Sequence, residues 1–252
     1  MKRQRLAIAI LAGLICLVVV GLLGLNAGRT GRAEEAPPIL QYPTFPPTPT
    51  VAPVPTNPPQ AAATKLLAAS FDKESDLNAW QIVDLSEVLP GTESVWAVKD
   101  GRLIQNRTAA AGNPDTRETL AVTGDAKWTD YTITAKVYDQ ANATFGLVAR
   151  RQGNSFYRYR ILADRYPDTP KQVLEKVVDG VATPLATIDG PGYAQREWHT
   201  VAMTVAGSSI RVTLDGKLVA QATDSTLTSG QIGVYTRALG EMFFDDVTVT
   251  TP

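Results

Sequence analysis

Three Asp-Gly pairs, Asp100-Gly101, Asp179-Gly180 and Asp215-Gly216, each sit between short runs in which apolar and polar residues alternate. Asp-Gly accommodates the positive φ values that two-residue hairpin turns require, so each pair predicts two antiparallel strands joined tightly. Tyr131-Thr-Ile-Thr-Ala-Lys-Val-Tyr138 and Ile210-Arg-Val-Thr-Leu214 alternate a core face with a wet face, and Phe244-Asp-Asp-Val-Thr-Val249 does so with one interruption. Ala206-Gly207 and Ser229-Gly230 mark further corners. Apart from one apolar run near the N-terminus, no segment reads as an amphipathic helix. Many short strands punctuated by turns predict an all-β fold, an antiparallel β-sandwich of the jelly-roll kind.

This β region occupies residues 66–252, about 187 residues, enough for one sizeable core. Its net charge is near −5. A nucleic-acid partner needs a basic footprint, so none is expected, and docking on anionic lipid is disfavoured for the same reason. The region holds no cysteine, so its stability rests on packing rather than on disulfides.

Ahead of it the chain changes character twice. Leu6 to Leu25 is a run of 20 uncharged, mostly apolar residues behind Lys2, Arg3 and Arg5. Twenty helical residues rise about 30 Å, the hydrocarbon thickness of a bilayer. Residues 1–28 therefore predict a signal-anchor, one transmembrane helix holding the protein in the cell membrane through residues 6–25. The basic flank keeps the N-terminus inside and sends the rest of the chain out. Leu25-Asn26-Ala27 offers an alternative, cleavage and secretion. Cys16 lies inside the run behind Ile15, which is not the small residue that lipid attachment requires.

Residues 29–65 form a Pro/Thr-rich extracytoplasmic linker. Between Pro37 and Pro59, 10 of 23 residues are proline. Proline fixes φ and removes a backbone donor, so the stretch forms neither helix nor sheet. As polyproline II it reaches roughly 70 Å, a stalk that displays the β region away from the surface.

Within the β region a specific succession of residues appears. It begins with Phe71-Asp72, Trp80 and Trp96-Ala-Val-Lys-Asp-Gly-Arg-Leu103. It continues through Trp128-Thr-Asp-Tyr131, Phe145-Gly-Leu-Val-Ala-Arg150 and Asn154-Ser-Phe-Tyr-Arg-Tyr159. It ends on Trp198-His-Thr-Val201, Gly230-Gln-Ile-Gly-Val-Tyr235 and Phe243-Phe-Asp-Asp-Val247. The succession resembles the concanavalin A-like lectin/glucanase superfamily, and within it the laminin-G-like and keto-disaccharide-hydrolase-like jelly rolls. The resemblance implies a carbohydrate-binding or surface-recognition module. Two alternatives stay open, a glycoside hydrolase of the keto-disaccharide type and a structural module that binds an envelope protein.

The glycosidases of that superfamily carry an E-x-D-x-x-E run, which places carboxylates on one strand face. No such run exists here, and Glu74-Ser-Asp76 is read as a loop. His199 is the sole histidine, so neither a serine-histidine triad nor a nitrogen/sulfur zinc site can be assembled. It is read as a structural or solvated imidazole, and Trp128, Tyr131, Trp198 and Phe244 as core or strand-end aromatics. No catalytic residue is assigned.

The candidate ligand-binding residues are Arg150, Arg158 and Arg160 with Lys136 and Tyr138. If the two arginine-bearing runs pair as neighbours, Arg158 and Arg160 share one face, and Tyr157 and Tyr159 the other. Guanidinium forks suit sugar hydroxyls or a uronate, although the same residues also suit a solvated face of Arg–Glu pairs. No cofactor is evident. Asp72, Asp245 and Asp246 are the candidate oxygen ligands of a structural Ca2+ if the first and last strands are neighbours.

Overall fold

The computed structural model describes residues 63–85, 88, 90–107, 118–140, 143–237 and 241–252. The apolar run of residues 6–25 and the proline-rich linker up to residue 62 lie outside the described residues. Among the described residues no helix is long and apolar enough to cross a membrane.

The chain builds β1 (Lys65–Ala69), a 3-10 turn at Glu74–Ala79, β2 (Gln81–Asp84), β3 (Val95–Lys99), β4 (Arg102–Arg107) and β5 (Thr119–Thr123). It continues with β6 (Tyr131–Asp139), β7 (Thr144–Gln152), β8 (Ser155–Leu162), β9 (Gln172–Val178) and β10 (Val181–Ile188). The last strands are β11 (Trp198–Ala206), β12 (Ser209–Leu214), β13 (Lys217–Thr223), β14 (Gln231–Arg237) and β15 (Met242–Thr250). Glu74-Ser-Asp76, read above as loop, opens the 3-10 turn, and the Asp76 carboxylate accepts the Lys73 backbone N–H at 3.2 Å.

Two antiparallel sheets face each other. One runs β13-β12-β11-β6-β15-β4-β3, with β1 also on β15, and the other runs β10-β9-β8-β7-β14-β5-β2. All three Asp-Gly pairs form two-residue turns with both residues at positive φ: 52° and 71°, 50° and 82°, 49° and 76°. They join β3 to β4, β9 to β10 and β12 to β13. The first and last strands are neighbours, with Ala69 opposite Val247. The interruption in the last strand is a bulge between Asp245 and Thr248, where Asp246 takes a φ of 47°.

The core follows alternation. On β6, Tyr131, Ile133, Ala135 and Val137 are buried between the sheets, while Lys136 and Tyr138 face out. On β8, Tyr157, Tyr159 and Ile161 point inward. Each large side chain so buried stabilises the sandwich by about 1.5–3 kcal/mol. The seven-stranded sheet departs from the simple wet-face expectation. Leu120, Val122, Val148, Phe156, Val177 and Tyr235 form a second buried cluster on its outer face. Near-continuous apolar runs such as Leu120-Ala-Val122 and Phe145-Gly-Leu-Val-Ala149 are what a strand buried on both faces requires.

Candidate functional site

Beside that outer cluster stands a row of charge. β8 and β9 pair Arg158 with Glu175, and alternation places Arg160 on the same side. Arg158 Nε donates to Glu175 Oε1 at 2.7 Å, and Arg160 Nε donates to the same oxygen at 3.0 Å. Arg158 Nη1 donates to Glu118 Oε2 at 2.9 Å, and the Tyr235 hydroxyl donates to Glu118 Oε1 at 2.6 Å. The Arg158 guanidinium also lies 4.7 Å from the centre of the Tyr235 ring. The carboxylate of Glu175 is buried, with its side chain 3% exposed, whereas that of Arg160 is 26% exposed. Two arginines thus hold two glutamates, a balanced network that tolerates burial because each charge has a partner.

Burial pushes the Glu118 carboxyl up. The Arg158 charge and the hydrogen bonds from Tyr235 and Arg158 outweigh it, leaving Glu118 below the usual carboxylate range. Arg158 Nη2 and both Nη atoms of Arg160 make no hydrogen bond among the described residues. A pocket of about 210 Å3 opens here, lined by Leu85, Glu118, Phe156, Arg158 and Val177 among others. This falls below the roughly 300–1,000 Å3 of drug-sized sites, so it suits one small ring or a chain end.

Arg158 and Arg160 do share a face, and Tyr157 and Tyr159 share the other, as β7–β8 pairing requires. Arg150 does not join them. Strict alternation from Val148 would put it outside, but a bulge after Ala149 breaks the register toward both β8 and β14. With φ at 51°, Arg150 turns into the end of the sandwich and is 1% exposed. Its Nε donates to Thr129 O at 3.0 Å, Nη1 to Gly207 O at 2.8 Å and Leu227 O at 2.9 Å, and Nη2 to Asp130 at 3.3 Å. It ties loops together and has little to offer a ligand.

Lys136 and Tyr138 also leave the arginine row, because β6 belongs to the other sheet. Lys136 binds Asp246 at 2.7 Å, with both side chains half exposed. Asp72 accepts the Ser70 hydroxyl at 2.6 Å, and Asp245 accepts the Asp246 backbone N–H at 2.7 Å. Among the described residues no group of three His, Cys, Asp or Glu side chains is placed to hold a metal ion. His199 is a structural residue. Its Nδ1 meets Asp215 at 2.8 Å and its Nε2 meets the Ala194 carbonyl at 2.7 Å.

On the outer face of the eight-stranded sheet, cross-strand register aligns Trp198, Tyr138 and Phe243 across β11, β6 and β15. Ring centres lie 5.4 Å apart for Tyr138–Trp198 and 6.0 Å for Tyr138–Phe243. Trp198 opens β11, a strand-end aromatic, and is 42% exposed. A legible signal was present: two consecutive aromatics on one strand, Phe243 and Phe244, must face opposite ways. Glu118 gave no such signal, since it reaches Arg158 from 40 residues away.

Known proteins agree with this architecture. Residues 68–250 match the model of the 3-keto-alpha-glucoside-1,2-lyase-like domain. No curated protein matches the sequence. Among solved structures, the carbohydrate binding module CBM66 from Bacillus subtilis aligns with 16% identity and a TM-score of 0.52, covering 69% of this chain and 98% of its own. A Bacillus subtilis protein of unknown function with a galectin-like fold aligns with 12% identity and a TM-score of 0.52, covering 75% and 97%. The fold is thus the concanavalin A-like jelly roll, an architecture used for carbohydrate binding and glycosyl hydrolysis alike. The chain belongs to the 3-keto-alpha-glucoside-1,2-lyase-like domain family.

Proposed function

We propose that this chain is a membrane-tethered, extracytoplasmic carbohydrate-binding module, non-catalytic, whose ligand lies on the outer face of the seven-stranded sheet. The observation that carries the reading is the pocket in which Phe156 supplies an apolar wall beside Arg158 and Glu118. The open Nη2 of Arg158 and the two Nη groups of Arg160 donate to sugar hydroxyls, and both guanidiniums are locked by Glu175. The N-terminal apolar run and the proline stalk support display outside the membrane.

The state of Glu118 argues against its use as a general acid. A general acid must keep its proton near neutral pH, which needs a raised carboxyl. Glu118 is held the other way by Arg158 and Tyr235.

The test is a glycan array with the full chain in detergent. Selective binding, weakened about tenfold or more by Arg160→Gln in a variant with an unchanged circular dichroism spectrum, supports the reading. Absence of binding to any glycan, with an envelope protein co-purifying instead, overturns it. Family membership favours a second reading, an enzyme acting on keto-sugars. Release of a keto-sugar or reducing product from a 3-keto-glucoside, lost in Glu118→Gln, would establish that reading in its place.

A further inference from the structure

The aromatic row on the eight-stranded sheet has no role in the site just described, and its sheet faces the opposite way. Trp198, Tyr138 and Phe243 line a depression of about 260 Å3 together with Arg102 and Gln140. Arg102 lies at 5.6 Å over the Trp198 ring. Among the described residues that guanidinium makes no hydrogen bond and no ion pair. Asp245 follows on the same face outside ion-pair distance; burial pushes its carboxyl up, and the Arg102 charge is near enough to pull against that. Lys136 is engaged by Asp246. The result is an exposed apolar wall beside a positive fork held in place by a ring, with the Gln140 amide at its rim.

Each part constrains the ligand. The exposed Trp198 indole presents one flat face, with Tyr138 tilted by 44° beside it and Phe243 beyond, and a single exposed flat ring suits the C–H face of a pyranose. A guanidinium with open donors suits a planar, bidentate acceptor, and a carboxylate supplies one together with the complementary charge. Asp245 compensates the cation only from beyond ion-pair distance; a neutral sugar would add no charge to it, and a purely apolar partner would desolvate it without return. We propose that this face is a second saccharide site, selective for an acidic sugar of the uronate class. The ring stacks on Trp198 with Tyr138 at its edge, and the carboxylate is taken by Arg102. The inference rests on the reading of the domain as a saccharide binder, but it uses other residues on the other sheet.

Titration calorimetry of the full chain in detergent with trigalacturonate tests it, maltotriose serving as the neutral control. Trigalacturonate is expected to bind, more weakly as salt rises. Trp198→Ala and Arg102→Gln should each lower its affinity tenfold or more, whereas Arg160→Gln should leave it unchanged. Both substitutions sit on an exposed face, and an unchanged melting temperature shows that the variants fold. Trigalacturonate failing to bind while array glycans still bind through Arg160 overturns the second site and leaves the first standing. Equal binding of maltotriose, or trigalacturonate binding indifferent to Arg102→Gln, overturns its selectivity for acid. Sedimentation showing that Trp198→Ala turns a dimer into a monomer would make the face a self-association surface and overturn the site.

Discussion

Replacing Arg150 separates a structural arginine from a ligand-binding one. Its guanidinium serves three backbone carbonyls, those of Thr129, Gly207 and Leu227, and the half-exposed Asp130. In Arg150→Met the volume is largely kept but every donor is lost. An acceptor stranded in this way costs about 1–3 kcal/mol. The carbonyls are only part-buried, so water returns to some of them and the lower end applies, roughly 3–4 kcal/mol in all. The Asp130 contact adds little, since exposed pairs contribute about 0–1 kcal/mol. For a domain of this size each kcal/mol shifts the midpoint by about 2–4 °C, so the melting temperature should fall by about 6–16 °C. Arg150→Lys keeps the charge without the fork and should fall between the two. The assay is thermal melting followed by circular dichroism, with glycan binding measured below both transitions. A midpoint within about 2 °C of the parent would refute the clamp on the scale used above. Lost binding at unchanged stability would return Arg150 to the ligand site.

Three further outcomes are expected. Gly146→Ala places a Cβ 1.8 Å from the Tyr159 carbonyl oxygen, forcing β7 and β8 apart. The cost should exceed the about 1–3 kcal/mol of ordinary overpacking, and a normal melting curve would contradict it. Asp224 accepts from the Tyr157 hydroxyl at 2.6 Å and from Lys176 at 2.7 Å. Burial pushes its carboxyl up, but the bonds from Lys176, Tyr157 and Thr226 outweigh that and hold it well below the usual range. The stabilisation is therefore complete above the unfolded value near pH 3.9 and is lost as pH falls through the lower folded value. Melting temperatures taken between pH 5 and pH 2 should decline, and the decline should be shallower in Asp224→Asn; parallel curves would exclude this contact as a source. Finally, chelator should leave the melting temperature unchanged, because among the described residues no group of three His, Cys, Asp or Glu side chains is placed to hold a metal ion. A ligand bound only by the native state would raise the midpoint, so a drop with chelator would restore a calcium site.

Much of the sandwich was legible. Asp-Gly turns, the alternation of β6 and β12 and the interruption in β15 are local properties, expressed over a few residues, and each appears where the sequence places it. The shared face of Arg158 and Arg160 was legible for the same reason. The partners of those arginines were not. Glu118 and Tyr235 are 117 residues apart, and nothing in either neighbourhood announces the other. Arg150 was misplaced because a bulge changes parity without changing composition. The exposure of Trp198 was not legible, because the aromatic residue type is common to cores and to exposed platforms.

By itself, then, the sequence determined an antiparallel β region behind an apolar run and a proline-rich stretch, since turn chemistry, strand periodicity and proline's missing donor act at short range. Only the tertiary structure decided which charges meet and which faces they occupy. Strand order, bulge position and the stacking of two sheets set those relations. They send Lys136 and Tyr138 to one side of the sandwich, Arg158 and Arg160 to the other, and Arg150 into the end between them.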